Sequence, residues 1–293
     1  MAGKHTSVTV LTPSYNQGEF IGETIDSVIS QRGHFNIEYI ILDGGSTDDS
    51  ISIIKNKEKE LSKRPGSSWP RIRFLGQSRP DGGQVNALNQ GFKMATGDIL
   101  VWLNSDDTFC SPVVLEQVID YFNHFPETDV LTGNGYLIDK NSNRYSAINY
   151  LEVDLLECIY LDYPVLQPAT FISKRIYSKE VLQNRYQNCF DAEYFIRLLN
   201  QGVIFRKTVQ YYACFRYYKE TKTVSAPFRR YKEMLDLSRR YGSSVFFRYV
   251  AALYRFVEIY LMSTLDAAFP IRAIRKLLYK ISYRIILKRW QRQ

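Results

Sequence analysis

The first 110 residues switch repeatedly between two rhythms of apolar and polar positions. Thr6–Thr12 alternates and reads as a strand, ended by Pro13-Ser14-Tyr15-Asn16. Residues 19–31 then show helical spacing through Phe20, Ile21, Ile25, Val28 and Ile29. Tyr39–Leu42 is a second strand, stopped by Asp43-Gly44-Gly45-Ser46-Thr47-Asp48. A helix follows from Asp49, with Ser46 or Thr47 as its cap. Lys55–Pro70 is polar, includes Pro-Gly-Ser-Ser and reads as a surface loop. Ile72–Leu75 is a third strand, Gln84–Ala95 a helix and Thr96-Gly97-Asp98 a turn. The apolar run Ile99–Leu103 is a fourth strand, and it stops abruptly at Asn104-Ser105-Asp106-Asp107. Strands alternating with helices predict a parallel, right-handed, three-layer α/β unit.

After residue 110 the rhythm loosens. Pro112–Phe125 reads as a helix with proline in its first turn, Asp129–Leu137 as a strand and Asp191–Gln201 as a helix. Val203–Arg216 holds one or two strands, and the chain from Phe228 onward reads as wholly helical. There is no internal repeat and no low-complexity tract.

Composition narrows the classes. The chain has 293 residues, 45% hydrophobic and 23% charged, as expected of a folded protein with a substantial core. Cys110, Cys158, Cys189 and Cys214 are widely spaced without a CxxC pair, which argues against a zinc site or a disulfide framework and fits a reducing compartment. The net charge of +8 resides in residues 271–293, which hold eight basic residues and no acid, whereas the rest carries 30 of each sign. A neutral body with one basic tail argues against a nucleic-acid partner and for a local electrostatic contact. In that tail Ile271, Ile274, Leu277, Leu278, Ile281 and Ile285 recur near helical spacing, so it reads as a basic amphipathic helix suited to an anionic membrane surface. The plainer alternative is a helix packed on the body with a solvated basic face. Ser244–Met262 is apolar but interrupted by Arg248, Glu258 and Arg255, which makes a poor transmembrane span. Met1–Thr6 is polar and carries no signal-peptide pattern, so the expected location is cytoplasmic, peripheral on the inner face of the membrane.

The chemistry-bearing residues lie in four polar turns after successive strands: 13–16, 43–48, 78–84 (Ser-Arg-Pro-Asp-Gly-Gly-Gln) and 104–107. In a parallel sheet those ends share one edge, so their side chains can converge on one ligand. Each turn alone is ordinary, since Asp, Gly and Ser are common turn residues. The adjacent carboxylates Asp106 and Asp107 suit a hard divalent cation, Mg²⁺ or Mn²⁺, which in turn suits a diphosphate.

The segments VTVLTPSYNQGEFIGETIDSVISQ (8–31), EYIILDGGSTDDS (38–50), SRPDGGQVNALNQGFKMATGDILVWLNSDD (78–107), QPATFISK (167–174) and FDAEYFIRL (190–198) resemble the family 2 glycosyltransferases, in the subgroup with an Asp-Gly-Gly-Ser-Thr-Asp turn. The resemblance implies a GT-A-type three-layer αβα sandwich with a mostly parallel sheet. It assigns residues 1–225 to a catalytic domain, with 1–110 as the nucleotide-binding half and 111–225 as the acceptor-binding half, and leaves 226–293 as a helical extension. The implied activity is inverting transfer of a sugar from a nucleotide sugar, a UDP-sugar by family habit, to a saccharide or lipid-linked acceptor. Pro13, Ser14 and Tyr15 would pack on the base, and Asp43 would accept from its ring N–H. Arg79 and Asp81 would lie near base and donor sugar, Asp106 near ribose and sugar, and Asp107 would bind the cation. Asp191 would be the general base, with Glu193 on the acceptor side. Taken without the family, Asp191 reads as a helix N-terminal acid favoured by the dipole.

One region departs from the family. Where relatives carry Phe-Arg-x-His-x-x-Ser-Lys-Thr, this chain reads Phe215-Arg216-Tyr217-Tyr218-Lys219-Glu220-Thr221-Lys222-Thr223. Tyr218 stands at the histidine position; if that histidine helps to hold metal or diphosphate, Arg216, Lys219 or Lys222 would do so here, and the plainer alternative is a basic surface loop. Two rivals remain. A sugar-nucleotide nucleotidyltransferase would need a Gly-rich, Arg-containing loop after the first strand, where Pro13-Ser-Tyr-Asn stands. A non-catalytic, membrane-associated nucleotide-sugar binder would not need the carboxylates at 43, 106, 107 and 191.

Overall fold

The computed structural model describes residues 6–64, 70–149, 153–160, 164–218, 221 and 226–246, together with 248, 249, 252, 253 and 256. These form two compact units. The first comprises residues up to 151 with 166–184 and 203–218, and the second 152–165, 185–202 and 219 onward.

The first unit is built on one sheet. Strands β1 (Ser7–Ser14), β2 (Asn36–Asp43), β3 (Arg71–Ser78) and β4 (Ile99–Trp102) run parallel in the order β3-β2-β1-β4. Helices α1 (Ile21–Ile29), α2 (Ser50–Ser62) and α3 (Gln84–Met94) make the crossovers. The order reverses between β1 and β4, and the crevice outside the carboxyl ends at such a switch point is where open α/β sheets bind ligands. Both faces are covered, so β1, β2 and β4 are buried along almost their whole length. Val8, Val10, Ile37, Tyr39, Ile41 and Val101 form the core with Ile21, Ile25 and Val28 of α1. Each fully buried side chain of this kind stabilises by about 1.5–3 kcal/mol. β3 is the edge strand, and it exposes Arg71 and Arg73.

Beyond β4 the sheet becomes mixed. β8 (Thr170–Ser173) pairs antiparallel with β4 and with β6 (Val130–Ile138). β9 (Phe205–Arg216) runs parallel to β6, while β5 (Thr108–Phe109) and β7 (Arg144–Ile148) pair antiparallel with β9 and β6. Helices α4 (Val114–His124) and α6 (Lys174–Tyr177) complete the unit. The parallel expectation thus holds for the first four strands; beyond them the β6–β9 pair is parallel and the remaining pairs are antiparallel.

Three local expectations change. Lys55–Ser62 is not loop but the second half of α2. One stripe, Ile53, Ile54 and Leu61, packs on the core while Lys57 pairs with Asp26 at 2.7 Å, and such a narrow apolar face suffices for a surface helix. Neither Ser46 nor Thr47 caps α2. Asp48 Oδ1 accepts from the Ser50 N–H at 3.0 Å instead. Pro112 precedes α4, its carbonyl accepting from Arg32 N–H at 2.7 Å.

The second unit is helical among the described residues, with α5 (Leu155–Tyr160), α7 (Phe190–Asn200) and α8 (Pro227–Tyr241). The boundary read at 225–226 does not coincide with this division, because α8 belongs with α5 and α7. The Glu233 carboxylate of α8 accepts from the main-chain N–H groups of Gln187, Asn188 and Cys189, just ahead of α7. Among the described residues no helix is long and apolar enough to cross a membrane. The tail reading for 271–293 falls outside them.

Candidate functional site

The parallel ladder brings the strand ends into line. Ser14 pairs with Asp43, and Asp43 with Ser78, while β4 stops at Trp102 opposite Leu11. Asp43 organises the edge. Its Oδ1 accepts from Gly45 N–H (3.0 Å), Ser46 N–H (2.8 Å) and Ser78 Oγ (2.7 Å), and its Oδ2 accepts from Ser46 Oγ. The loops after β1 and β2 are then zipped together. Asn16 N–H donates to Ser46 Oγ at 2.7 Å, Asn16 Oδ1 accepts from Thr47 N–H at 2.9 Å, and Gly18 N–H donates to Asp48 Oδ2 at 2.8 Å. Asn16 adopts a positive φ of 51°, which asparagine tolerates better than most residues. Ser14 Oγ is buried without a hydrogen-bond partner.

Tyr15, Gly44 and Asp81 meet at this edge. A Cβ on Gly44 would stand 3.3 Å from Asp81 Oδ2 and 3.3 Å from the Tyr15 ring, so any side chain there would push these two groups back. Tyr15 is 61% exposed, an aromatic face open to a ligand. Asp81 Oδ1 accepts from Gly83 N–H at 2.7 Å at the start of α3. Arg79 continues the ladder, its N–H donating to the Asp43 carbonyl at 2.9 Å, with its side chain exposed.

The 104–107 turn is held from several sides. Thr24 Oγ1 of α1 lies within hydrogen-bond distance of the carbonyls of Ser105 (2.9 Å) and Asp107 (2.8 Å). Asn104 accepts from Gln84 Nε2 at 3.1 Å, and its Nδ2 lies 3.1 Å from Gln167 Oε1 and 3.2 Å from Asp107 Oδ2. Asp107 is buried, and Asp106 beside it is partly exposed. Burial pushes the Asp107 pKa well above the usual carboxylate range, and the Asp106 charge adds to this; hydrogen bonds from Arg216 N–H and Asn104 oppose it. Two adjacent carboxylates in this state fit a hard divalent cation, whose charge would offset both burial and repulsion. Among the described residues no group of three or more His, Cys, Asp or Glu is placed to hold a metal.

Arg216 departs from its expected place. Its side chain is fully buried at the end of β9, with its donors turned to protein acceptors rather than to an open phosphate site. Tyr218 has its hydroxyl 3.3 Å from Asp106 Oδ2 and its ring 5.2 Å from that of Phe20. Lys219 and Lys222 lie outside the described residues.

In the second unit Asp191 opens α7, and its Oδ1 accepts from the Ala192 N–H at 2.8 Å. Burial raises its pKa, with the Ala192 hydrogen bond and the Arg230 charge lowering it in part. Glu193 differs from the acceptor-side expectation. It is completely buried, with Oε1 accepting from Arg197 Nε at 3.1 Å and Tyr241 Oη at 2.6 Å. Arg197, one helical turn further on, is its i,i+4 partner. Asn104 belongs to a turn read from the sequence but has no role of its own there, and Thr24 and Gln167 lie inside recognised segments where nothing local marks their bonds to the 104–107 turn and to β4.

Residues 9–205 match the profile "Glycosyl transferase family 2". An uncharacterized glycosyltransferase of Mycobacterium tuberculosis is 38% identical over 114 residues, 39% of this chain and 39% of the relative. Glycosyltransferase GlyG of Streptococcus pneumoniae is 30% identical over 141 residues, 47% of this chain and 42% of GlyG. The matched stretch thus spans less than half the length of these curated relatives. Among solved structures, S. aureus TarS 1–349 in complex with UDP-GlcNAc superposes with a TM-score of 0.64 at 16% identity, covering 89% of this chain and 77% of that one. The mannosyltransferase PcManGT from Pyrobaculum calidifontis, in complex with GDP-Man and Mn²⁺, gives 0.59 at 12% identity, covering 97% and 82%.

Proposed function

The chain belongs to glycosyl transferase family 2, and we propose that it transfers a sugar from a nucleoside-diphosphate sugar to an acceptor hydroxyl with inversion at the sugar carbon. The observation that carries this reading is the register of Ser14, Asp43 and Ser78 at one sheet edge, with the Asp106–Asp107 turn beyond β4. A UDP-sugar is the favoured donor, in keeping with the UDP-GlcNAc bound by TarS.

Pro13, Ser14 and Tyr15 form the platform for the base, and the unpartnered Ser14 hydroxyl is free to bond it. Asp43 shapes that platform and keeps acceptor capacity on Oδ2. Arg79 and Asp81 flank base and sugar. Asp106 faces ribose and sugar, and Asp107 holds the cation. Mn²⁺ or Mg²⁺, when bound, offsets the charge that develops on the departing diphosphate. Asp191 takes the acceptor proton, and its raised pKa makes it a stronger base than an exposed aspartate. The acceptor is a saccharide, lipid-linked in keeping with a basic tail (271–293) on the cytoplasmic face of an anionic membrane. Equal flotation of the full chain and a 1–243 truncation with anionic liposomes would remove the membrane part.

The test is nucleotide release from a panel of nucleotide sugars with Mn²⁺, Mg²⁺ or chelator, with and without saccharide acceptors. Asp107→Ala abolishes metal-dependent release, and Asp191→Asn abolishes transfer. Undiminished release after Asp107→Ala refutes the cation assignment, and undiminished transfer after Asp191→Asn refutes the base.

A further inference from the structure

We propose that Arg216 is a positioning residue for the carboxylate turn, working with Glu23 as its counter-charge, and not a clamp on the donor's diphosphate. The inference rests on the nucleotide-sugar reading above. Arg216 joins β9 to both acids. Its main-chain N–H donates to Asp107 Oδ1 at 2.9 Å, and its Nε donates to the Asp106 carbonyl at 2.8 Å. The rest of the guanidinium faces away from the turn. Nη1 lies 3.0 Å from the Asp139 carbonyl, 3.2 Å from the Lys140 carbonyl and 3.0 Å from Ser142 Oγ, in the loop between β6 and β7. Nη2 donates to Glu23 Oε2 of α1 at 2.6 Å, and the guanidinium carbon sits 4.7 Å from the centre of the Phe20 ring.

Three elements, α1, the β6–β7 loop and β9, therefore meet on one buried cation whose Nε fixes the Asp106 main chain. A guanidinium offers five N–H donors, and at most one on Nη2 is left unclaimed. Using Arg216 on a phosphate would require stripping these bonds from a side chain with no exposed surface. Glu23 is 46% exposed, so it can be neutralised with little risk to the fold.

The two roles predict opposite signs for Glu23→Gln. If Arg216 clamps phosphate, losing Glu23 frees its guanidinium and UDP binds more tightly. If Arg216 positions the turn, Glu23→Gln loosens the cation site and the Mn²⁺-dependent part of UDP binding weakens. Calorimetric titration of UDP into the full chain, with Mn²⁺ and with chelator, separates them. Arg216→Lys and Glu23→Gln should each raise the Mn²⁺ concentration needed for half-maximal UDP binding, by roughly 10–100-fold for the former. UDP affinity in chelator should stay unchanged in both. Weaker chelator-state binding in Arg216→Lys, tighter binding in Glu23→Gln, or no change in Mn²⁺ dependence in Glu23→Gln overturns the proposal. Failure of the unaltered chain to bind UDP with Mn²⁺ would instead overturn the donor reading itself.

Discussion

Replacing Asp43 by asparagine is expected to loosen the whole strand-end edge. The carboxylate is buried and accepts four hydrogen bonds, from Gly45 N–H, Ser46 N–H, Ser46 Oγ and Ser78 Oγ. Asparagine can keep the three bonds on Oδ1, now without charge. Its NH₂ then meets Ser46 Oγ, which already accepts from Asn16 N–H. Bonds to charged groups contribute about 1.5–3 kcal/mol against about 0.5–1.5 for neutral ones, so roughly 4 kcal/mol is lost over four bonds. Relief from burying a charge returns part of this, leaving a net loss of about 2–3 kcal/mol. For a protein of this size that lowers Tm by about 5–10 °C. Thermal unfolding followed by circular dichroism measures it, with Asp81→Asn as control. Asp81 is partly exposed and its one hydrogen bond is local, to Gly83, so its loss should shift Tm by no more than about 2 °C. Equal, small shifts in both variants would refute the view that Asp43 organises the edge.

Two further outcomes are expected. Asp191 has a folded-state pKa raised by burial, so the stability it contributes is present below its unfolded value of about 3.9 and is lost as pH rises through the folded pKa. Asp191→Asn should therefore raise Tm at neutral pH, by an amount that shrinks as the buffer is made acidic, while transfer is lost; in the unaltered chain the acid limb of kcat/KM should lie above the ordinary aspartate range. Gly44→Ala should leave Tm nearly unchanged yet weaken UDP binding by about tenfold in calorimetry, because the new methyl displaces the flexible Asp81 and Tyr15 side chains rather than backbone.

The first four strands and their crossovers were legible because each is a short apolar run stopped by a turn of special residues, and parallel pairing then fixes their shared edge. That logic put Ser14, Asp43 and Ser78 in register at one sheet edge, with the 104–107 turn following the end of β4. It failed for α2, where a polar sequence hid a narrow apolar stripe. It also failed where burial decides a role. Arg216 and Glu193 look like exposed functional charges in sequence, yet each is buried against partners distant in the chain or on the inner side of a helix. Glu23 to Arg216 spans 193 positions, which no local pattern reports. α8 read as the start of an appended extension, but its Glu233 holds the approach to α7, a contact set by tertiary packing alone.

The central claim is that the strand-end carboxylates bind a nucleoside diphosphate through a divalent cation. Calorimetric titration of UDP into the unaltered chain and into Asp107→Asn, each with Mn²⁺ and with chelator, tests it most directly. UDP should bind the unaltered chain at least about tenfold more tightly with Mn²⁺ than with chelator, a difference of about 1.4 kcal/mol, and Asp107→Asn should erase that difference. Manganese-dependent binding that survives Asp107→Asn intact, or UDP binding indifferent to the metal in the unaltered chain, would contradict the account.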